Sequence, residues 1–553
     1  MNDNMIPIKT VLMSVTDKTG LTSFAQDLNS VIPNLQILAS GGTAKELANS
    51  GIAYTAIEDY TRFPECFGGR VKTLHPFVMG GILFRRGMDD QEAERLGIYA
   101  IDLVVCNLYD FAKAAAEQET SMQKLVEQMD IGGSTLIRSA CKNFAHVAIA
   151  VDPSDYPSIM SEIQANQGYL SLATRERLAI KAMHTSADYE ALLSKEFSKR
   201  LSNEETQRPR LIRGRQLRYG ENPDQKAWVY EFEGQQGIAQ AQILSGKEIS
   251  YNNYEDATVA YYAAQDLDET GHSNGVAIVK HGSLCAYATG VTLGQAFEKA
   301  WEGDSKSSFG SVIAMTTEVG DTLIPIIKDK FIEVLISPSF SDSFVQWAKT
   351  VKPNVRLLKI SLANKNPYLY KNISGGMLVQ TQKNRQEHPA IDSLFKIVEI
   401  QDKKSIGIVT KRQPNANIKG LCNFAISAVH YAKSNAIAIV REYHPGYYQV
   451  LGMGAGQPNR IDSLQRLAIP KAIDNLRNEH PNDPHYDPKN DLSHCVMASD
   501  GFFPFDDSVQ YAASQGIKTI VQPGGSTRDP EVISTADKLD MCMILTGQRY
   551  FYH

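Results

Sequence analysis

The sequence lacks closely spaced cysteines, long apolar runs and a strong excess of charge of either sign. Its seven cysteines are scattered over 553 residues without a CxxC pair, which indicates reduced thiols in a cytosolic protein and argues against a disulfide framework and against zinc. No segment approaches the ~20 apolar residues of a membrane span, and the start, MNDNMIPIKTVLM, lacks the apolar core of a signal peptide. A formal net charge of −6 disfavours nonspecific nucleic-acid binding. The composition therefore predicts a cytoplasmic protein with neither a membrane nor a nucleic acid as partner.

The sequence does contain a regular alternation of strand-like and helical patterns. This order is typical of a parallel sheet covered by helices, in which ligands bind beyond the carboxyl ends of the strands. The helical pattern continues over 154–203, and the polar segment 202–210 predicts a domain boundary. The strand-like runs of the first 150 residues cover 10–15, 35–40, 101–109 and 146–152. At the ends of these runs lie Ser14, Ser40, Asn107 and Tyr109.

The most informative segment is GGRVKTLHP, residues 68–76. It places Arg70 and Lys72 two residues apart beside two glycines, and in an extended backbone both cations would leave the same face. Upstream, SVTDKTG (14–20) and ASGGTAKEL (39–47) each follow an apolar run and open a helical pattern, the geometry in which helix N-termini bind anions. Together these segments predict a site for a phosphorylated substrate. The alternative is a solvated basic turn.

The second half begins with new polar clusters and keeps the α/β pattern. LRYGENPDQKA (217–227) and GKEISYNNYEDA (246–257) are rich in Arg, Tyr and Asn, side chains that hydrogen-bond planar heterocycles and phosphates. The strand VAIVKHG (276–282) ends on Lys280 and His281. We expect two α/β subdomains here, and a loop without evident chemistry at 477–491, which is rich in Pro, Asn and Asp.

About ten such blocks, in order from SVTDKTG to the terminal His553, resemble one family over essentially the whole chain. The family is the purine-biosynthesis bienzyme that fuses aminoimidazole carboxamide ribonucleotide (AICAR) formyltransferase to inosine monophosphate (IMP) cyclohydrolase. The resemblance implies formyl transfer to AICAR from 10-formyltetrahydrofolate, a co-substrate, and then ring closure of formyl-AICAR to IMP with loss of water. It also implies a homodimer that needs no metal for catalysis.

The fold implied by the resemblance is α/β throughout. A methylglyoxal-synthase-like parallel-sheet domain, the cyclohydrolase, would cover 1–203. Two cytidine-deaminase-like α/β subdomains, which form the formyltransferase, would cover 204–390 and 391–553. The family lacks the deaminase zinc signature, which agrees with the scattered Cys and His residues of this chain.

For the cyclohydrolase, the resemblance implies four catalytic residues. Lys72 and Tyr109 would stabilise the developing oxyanion, and Asp130 and Lys142 would orient or deprotonate the carboxamide. From the residues alone, Asp130 also fits a helix N-cap before GGSTLIRSACKN, and Lys142 also fits an exposed cation. The resemblance assigns phosphate binding to Ser14, Lys18, Ser40, Gly42, Thr43, Lys45 and Arg70.

For the formyltransferase, the resemblance implies Lys280, His281 and the terminal His553 as catalytic residues. His281 fits a general base because an imidazole pKa near ~6.5 suits neutral pH, and Lys280 would stabilise the tetrahedral intermediate or protonate the leaving nitrogen. Taken alone, a strand-end Lys-His pair is typical of a structural or surface position. The implied AICAR contacts are Arg218, Tyr219, Asn253, Gly310, Glu333, Asn435, Phe503 and Arg549. The implied folate contacts are Gln457, Arg460 and Asp500, within the segments 457–460 and 500–505.

The chain departs from the family pattern at several positions. Leu284, Cys285 and Ala286 stand where the family usually has Pro, then Cys or Ala, and Gly. A displaced turn after His281 would move the base, and a misplacement of ~1 Å can cost ~10²-fold in rate. Two alternatives therefore stay open: a diverged cyclohydrolase with weak formyl transfer, and a non-catalytic purine-nucleotide-binding protein. The other departures are Gly68, Asp110 and Asp224, in place of Asp, Pro and His, and a longer segment at 441–456.

Overall fold

A computed structural model describes residues 4–117, 120–363, 366–382, 389–398, 405–415 and 418–553. The chain divides into two compact units, Met1–Arg208 and Pro209–His553. The division falls inside the polar segment 202–210. The boundary at 390 within the second unit stays a prediction.

The first unit contains a five-stranded parallel sheet in the order β4-β3-β2-β5-β6. Helices cover both faces of the sheet, so its central strands are buried. The side chains on the two faces form two separate apolar clusters. The strands are β1 (Met5–Pro7), β2 (Thr10–Ser14), β3 (Gln36–Ala39), β4 (Thr55–Ala56), β5 (Leu103–Cys106), β6 (Ala148–Ala150) and β7 (Tyr169–Ser171). The helices are α1 (Leu21–Val31), α2 (Gly41–Asn49), α3 (Ile57–Thr61), α4 (Pro76–Leu83), α5 (Asp90–Leu96), α6 (Phe111–Ala116), α7 (Met122–Val126), α8 (Ile131–Lys142), α9 (Tyr156–Ala165) and α10 (Leu172–Phe197).

The predicted parallel α/β arrangement of this unit is confirmed, but the continuous helical pattern over 154–203 was wrong in one place. Helix α9 ends at Ala165, and β7 follows and pairs antiparallel with β1. Gln167 and Gly168 both have positive φ, 51° and 95°, a conformation that an α-helix does not contain. The turn therefore separates α9 from α10, which the apolar periodicity alone does not reveal.

The second unit is built on a twelve-stranded mixed sheet in the order β10-β15-β14-β13-β11-β12-β20-β19-β21-β22-β23-β18. Its strands are β8 (Leu211–Leu217), β9 (Ala227–Phe232), β10 (Gln242–Ser245), β11 (Gly275–Lys280), β12 (Ser283–Thr289), β13 (Ser311–Met315), β14 (Ile332–Ser337), β15 (Arg356–Lys359), β16 (Tyr368–Ile373), β17 (Gly376–Thr381), β18 (Gly407–Ile408), β19 (Ile437–His444), β20 (Tyr447–Gly454), β21 (Val496–Ser499), β22 (Thr519–Gln522) and β23 (Cys542–Leu545). The helices are α11 (Tyr251–Glu269), α12 (Leu293–Gly303), α13 (Ser305–Ser308), α14 (Ile324–Ile327), α15 (Asp342–Val351), α16 (Ile391–Leu394), α17 (Lys419–His430), α18 (Arg460–Asp462), α19 (Ile469–Glu479), α20 (Pro488–Leu492), α21 (Asp507–Ser514) and α22 (Asp529–Lys538).

The large sheet consists of two halves with the same strand arrangement. In the first half, the hairpin β11–β12 is followed by three strands, β13, β14 and β15, the last of which pairs with the antiparallel edge strand β10. In the second half, the hairpin β19–β20 is followed by β21, β22 and β23, with β18 as the antiparallel edge. The halves join through β12 and β20, at the pair Ala288–Gln449. The sequence prediction of two α/β subdomains in this half agrees with this duplication.

The directions of the strands bring many loops to one edge of this sheet. Because β13 and β21 run antiparallel to β11 and β19, strand β11 ends where β13 begins, and β21 ends where β19 begins. We call this end of the strands, where β11 and β21 finish, the Lys280 edge, after the last residue of β11. The tip of the other hairpin, around His444, lies at the opposite edge, because β12 and β20 are antiparallel.

Three further observations concern the loop predicted at 477–491, metal-binding groups and membrane-spanning helices. The predicted loop is shorter than expected, because α19 extends to Glu479 and α20 begins at Pro488. In the ranges that the structure describes, no group of three or more His, Cys, Asp or Glu side chains is placed to hold a metal ion. None of the helices in those ranges combines the length and the apolarity needed to cross a bilayer.

Candidate functional site

A cavity of about 540 Å³ opens at the carboxyl ends of β2, β3 and β5 in the first unit. This is where ligands bind in parallel α/β sheets. The cavity brings together most of the residues that the sequence predicted for a nucleotide site. Those that line it are Ser14, Lys18, Ser40, Gly42, Thr43, Arg70, Lys72, Tyr109 and Asp130.

The N-terminus of α2 forms one wall of this cavity. A Cβ atom at Gly41 would lie 3.3 Å from Lys72 Nζ, and one at Gly42 would lie 3.7 Å from Lys18 Nζ. The two ammonium groups therefore lie beside the first backbone N–H groups of a nine-residue helix, where the helix dipole also favours an anion. Gly41 has φ 51°, so this wall has bare backbone in a conformation that suits glycine. The arrangement fits a phosphate group.

The loop that carries Arg70 and Lys72 is a tight turn and not the extended segment that the sequence predicted. Cys66 pairs with Val71 across the loop, Gly68 and Gly69 have φ 64° and 92°, and Arg70 has helical angles. Both cations still line the cavity, because the loop folds over its mouth. Each has a carboxylate partner: Lys72 Nζ lies 3.0 Å from Glu65 Oε2, and Arg70 is paired with Glu127.

Asp130 is the N-cap that the sequence allowed, and its side chain also faces the cavity. It is the N-cap of α8, where Oδ1 accepts a hydrogen bond of 2.6 Å from the backbone N–H of Gly133, and it also lines the cavity. A Cβ atom at Gly133 would lie 2.5 Å from Asp130 Oδ2, so this glycine makes room for the carboxylate. Burial raises the pKa of Asp130, an effect that the N–H groups of Gly133 and Tyr109 oppose.

Tyr109 lies in the same electrostatic environment. Burial raises the pKa of the Tyr109 phenol; the Asp130 carboxylate raises it further, and the Lys72 ammonium lowers it. The phenol therefore stays protonated at neutral pH and can donate a hydrogen bond. A lysine, a phenol and a carboxylate with a raised pKa thus lie near the start of α2, a combination suited to stabilising an oxyanion and moving a proton.

Two residues hold the walls of the cavity in place. Asn107 Oδ1 accepts from the N–H groups of Thr16 and Asp17 at 2.6 and 3.0 Å, and Asn107 Nδ2 donates to the Asp17 carbonyl at 2.9 Å. Thr43 Oγ1 accepts from Val15 N–H at 2.9 Å and donates to the Val15 carbonyl at 3.1 Å. Asn107 was noted at a strand end but not selected as a site residue. Its hydrogen bonds connect segments that are distant in sequence but follow neighbouring strands, so they can be recognised only when the strand order of the sheet is known.

Lys142 and Lys45 do not line this cavity. Lys142 ends α8, which Asp130 begins, and a 12-residue helix is about 18 Å long. Lys142 lines a separate cavity of about 930 Å³ between α8 and α10. Lys45 is exposed on α2. The prediction that Lys142 acts together with Asp130, and the prediction that Lys45 holds the phosphate with Lys18, are therefore not supported by the geometry of this chain.

In the second unit, Lys280 and His281 lie at the tip of the hairpin β11–β12. The turn has two residues, His281 and Gly282, both with positive φ, 56° and 67°, as in a type I′ turn. Lys280 Nζ donates to the Phe309 carbonyl at 2.5 Å, and the Gly282 N–H donates to Asp256 Oδ1 at 2.5 Å. The His281 side chain is exposed.

The residues after His281 that depart from the family pattern lie in β12 and not in the turn itself. Leu284 and Ala286 lie in β12, fully buried, and pair with Val279 and Ile278 of β11. They add apolar area to the core beneath the hairpin, whereas the two-residue turn is set by His281 and Gly282. The register between the two strands shifts at this place, because Ile278 pairs with Ala286 and Val279 with Leu284, which leaves Cys285 as an extra residue. The expectation that these residues misplace His281 stays a prediction.

The carboxyl end of β21 contributes a buried polar network to the Lys280 edge. Asp500 is fully buried and accepts from Arg460 Nη2 at 2.9 Å and from Ser434 Oγ. Asn435, at the start of β19, donates from Nδ2 to the Gln457 carbonyl at 2.9 Å. These contacts connect four of the predicted residues: Asn435, Gln457, Arg460 and Asp500.

The last residues of the chain lie on this network. Tyr550 N–H donates to the Asp500 carbonyl at 2.9 Å, and Ser434 N–H donates to the Tyr552 carbonyl at 2.8 Å. The Phe551 ring lies 5.6 Å from the guanidinium groups of both Arg460 and Arg549 and 5.8 Å from the His553 ring. Arg549 and His553 are thereby held at the same edge as Asp500.

For three of the residues predicted to contact AICAR in this unit, the structure shows a buried position or interactions with other residues of the chain. Phe503 is fully buried in the apolar cluster of the second half, and its contact with AICAR stays a prediction. Glu333, in β14, is paired with Arg356, which also donates to the Glu248 carbonyl. Gly310, just before β13, has φ 69° and donates to the Phe331 carbonyl.

Arg218, Tyr219 and Asn253 lie on the approach to this edge. The Arg218 guanidinium lies 4.6 Å from the centre of the Tyr219 ring and donates to its hydroxyl at 2.7 Å. Asn253 is in the first turn of α11, one turn before Asp256, which binds the His281 turn. Residues three apart share a helix face, so Asn253 faces the direction of the hairpin tip.

Comparison with known proteins relates both units to described families. A family model described as "AICARFT/IMPCHase bienzyme" matches residues 140–471, and one described as "MGS-like domain" matches residues 20–135. Two similar curated proteins carry the name bifunctional purine biosynthesis protein PurH. The protein from Xanthomonas axonopodis pv. citri is 37% identical over 100% of both chains, and that from Neisseria meningitidis serogroup A is 38% identical over 99% of this chain and 100% of its own. A solved structure titled "Crystal structure of ForH" is 32% identical over 34% of this chain and 98% of its own, with a TM-score of 0.30.

Proposed function

The chain belongs to the AICARFT/IMPCHase bienzyme family, and we propose that its two activities occupy separate sites, cyclisation in the cavity of the first unit and formyl transfer at the Lys280 edge of the second. The resemblance found in the sequence is confirmed. As a member of this family the chain is a bifunctional enzyme of purine biosynthesis, an AICAR formyltransferase and IMP cyclohydrolase that uses a formyl-folate. That the donor is 10-formyltetrahydrofolate, and that the protein is cytoplasmic, is part of our proposal.

The observation that carries the cyclisation site is the position of two ammonium groups at the start of α2 beside Tyr109 and Asp130. The phosphate of formyl-AICAR rests on α2 and Lys18. The carboxamide nitrogen attacks the formyl carbon, and Lys72 and Tyr109 stabilise the oxyanion that forms. Asp130 takes the amide proton, because its raised pKa makes it a stronger base than an ordinary carboxylate. Asp130 returns this proton to the oxyanion, and the hydroxyl group that results leaves as water with the proton of the formamido nitrogen, so that a C=N bond completes the ring.

The formyl-transfer site rests on residues that the sheet collects at one edge. The 5-amino group of AICAR is a weak nucleophile because its lone pair is delocalised, so it needs a base as it attacks the formyl carbon. His281, exposed at the hairpin tip, takes this proton. Lys280 is adjacent and stabilises the oxyanion or protonates the folate nitrogen that leaves. Arg549 and Arg460 supply positive charge for the anionic substrates.

The test of the two-site proposal uses both substrates and both products. We expect that the protein, incubated with AICAR and 10-formyltetrahydrofolate, releases tetrahydrofolate and IMP, and that supplied formyl-AICAR alone also gives IMP. IMP from formyl-AICAR without tetrahydrofolate release would instead support a cyclohydrolase with lost formyl transfer. Binding of AICAR without any product would contradict both catalytic sites.

We further propose a homodimer in which formyl transfer needs both chains and cyclisation does not. The residues at the Lys280 edge, such as His281 and Arg218, are largely exposed, whereas the cyclisation residues line a cavity within one unit. In the proposed dimer two Lys280 edges pair symmetrically, so that the His281 hairpin of one chain faces Arg460 and Arg549 of the other, which builds two identical composite sites. Formyl transfer per chain should therefore fall on dilution below the dimer dissociation constant, while cyclisation per chain stays constant.

Mixed dimers provide a direct check of this shared site. Chains with His281→Ala and chains with Arg549→Ala, which removes an exposed cation of the same edge, should each be inactive in formyl transfer. An equal mixture should recover up to about a quarter of the wild-type activity, since half of the dimers are mixed and each has one intact site. If exchange into mixed dimers is demonstrated and no activity returns, the shared site is refuted.

A further inference from the structure

We propose that Glu65 is a positioning residue of the cyclisation site, which holds the ammonium group of Lys72 inside the cavity. The inference rests on the proposed function of that cavity. Glu65 was not selected from the sequence and does not line the cavity with the substrate-facing residues. It acts on the reaction through Lys72.

The contact between Glu65 and Lys72 lies at the base of the loop that carries Arg70. Cys66 and Val71 face each other across the loop, with Cys66 N–H donating to the Val71 carbonyl at 3.3 Å. Glu65 and Lys72 are the next residues outward on the two sides, and their side chains meet at 3.0 Å. Oppositely charged side chains on facing strands stabilise the pairing of those strands. The ion pair thus closes the loop at its base.

Gly69, at the tip of the loop, leaves room for the Glu65–Lys72 ion pair because it has no side chain. A Cβ atom at Gly69 would lie 2.8 Å from Glu65 Oε1 and 3.0 Å from Lys72 Cε, so both side chains cross directly over its bare Cα. Lys72 Nζ is at the same time 3.3 Å from the position of a Cβ atom at Gly41, beside the positive end of the α2 dipole. A carboxylate is needed there to hold a second positive charge in place.

The loop is also held by short-range backbone hydrogen bonds between residues 66 and 71 and by the Arg70–Glu127 ion pair, but none of these involves the Lys72 side chain. Phe67 is 78% exposed, and three successive residues, Phe67, Gly68 and Gly69, have positive φ. Gly68 and Gly69 are adjacent, and two adjacent glycines leave the backbone with more conformational freedom. Lysine side chains are long and flexible. Without Glu65, the ammonium group would leave its position opposite Tyr109 for part of the time.

The test compares Glu65→Gln with Glu127→Gln, since each removes one carboxylate from a cation of the same loop. For Glu65→Gln we expect kcat of cyclisation to fall by ~10- to ~100-fold, the range for a displaced catalytic group, with KM for formyl-AICAR changed less than about threefold. Glu127→Gln should instead change KM by a few fold, because exposed ion pairs contribute little and Arg70 only binds. Gly69→Ala should reproduce the kcat loss of Glu65→Gln, and Glu65→Asp should recover part of it.

The readouts separate this inference from the proposed function and from misfolding. IMP binding measured by calorimetry should persist in Glu65→Gln, because the α2 start and Lys18 are intact; loss of binding with loss of the folded near-UV signal would assign the residue a purely structural role and overturn the proposal. An unchanged kcat, or equal kcat losses in Glu65→Gln and Glu127→Gln, would also overturn it. If the wild-type protein does not cyclise formyl-AICAR, it is the proposed function that fails.

Discussion

Cyclisation of formyl-AICAR should be almost abolished in Lys72→Ala, while formyl transfer stays within a few fold of wild type. Loss of one oxyanion-stabilising group typically costs ~10²–10³-fold in kcat, and here the same ammonium group also borders the phosphate wall at Gly41. The two activities are measured separately, cyclisation with supplied formyl-AICAR and transfer by release of tetrahydrofolate.

Lys113→Ala is the matched control for this experiment. Lys113 is an exposed lysine of the same unit, on α6 and outside the cavity, so both activities should stay at the wild-type level. A collapse of both activities in a folded Lys72→Ala protein would contradict the assignment of the two reactions to separate units. Unchanged cyclisation would remove Lys72 from the mechanism.

Replacement of His281 by alanine should reduce formyl transfer by ~10²–10⁴-fold, the usual effect of removing a general base, with AICAR binding largely kept. The turn itself should persist, because the Gly282 N–H remains bound to Asp256 and the buried Leu284 remains in β12. Cyclisation, measured on the same sample, should not change.

His444→Ala is a stringent control for His281→Ala. His444 is also an exposed histidine near the tip of a hairpin, β19–β20, but it belongs to the opposite edge of the sheet. Its replacement should leave formyl transfer unaltered. If His281→Ala transfers at the wild-type rate, the base is another residue, and His553 is the next to be replaced.

The sequence was most informative where a short motif and a strand end coincide. The loops after β2 and β3 could be assigned to one site because parallel strands bring their carboxyl ends together, and Arg70 and Lys72 joined this site through the spacing of their motif. Asp130 was assigned only through the family resemblance, and its catalytic role stays a prediction. In the structure it caps α8 and also lines the cavity, since a helix that begins at a cavity places its capping carboxylate there.

Three expectations from the sequence meet a different backbone path or a different packing in the structure, while the site roles of Lys142 and Phe503 stay predictions. Arg70 was expected on an extended segment, but positive φ at Gly68 and Gly69 turns the chain. Lys142 follows Asp130 closely in sequence, but the intervening residues form a straight helix that separates the two ends. Phe503 lies in a motif with Asp500, although packing of its ring inside the second half decided its burial. Such outcomes depend on tertiary packing, which local patterns do not report.

The duplicated sheet also has a consequence for the order of assembly during synthesis. Chains fold as they emerge, domain by domain from the N-terminus, and the first unit contains all the residues of its own cavity within its compact fold. The Lys280 edge, in contrast, is held together by contacts from β11 to Tyr550 and Tyr552, so it is incomplete until the last residues have left the ribosome. Ring closure should therefore be detectable on stalled nascent chains of the first unit, long before formyl transfer is possible.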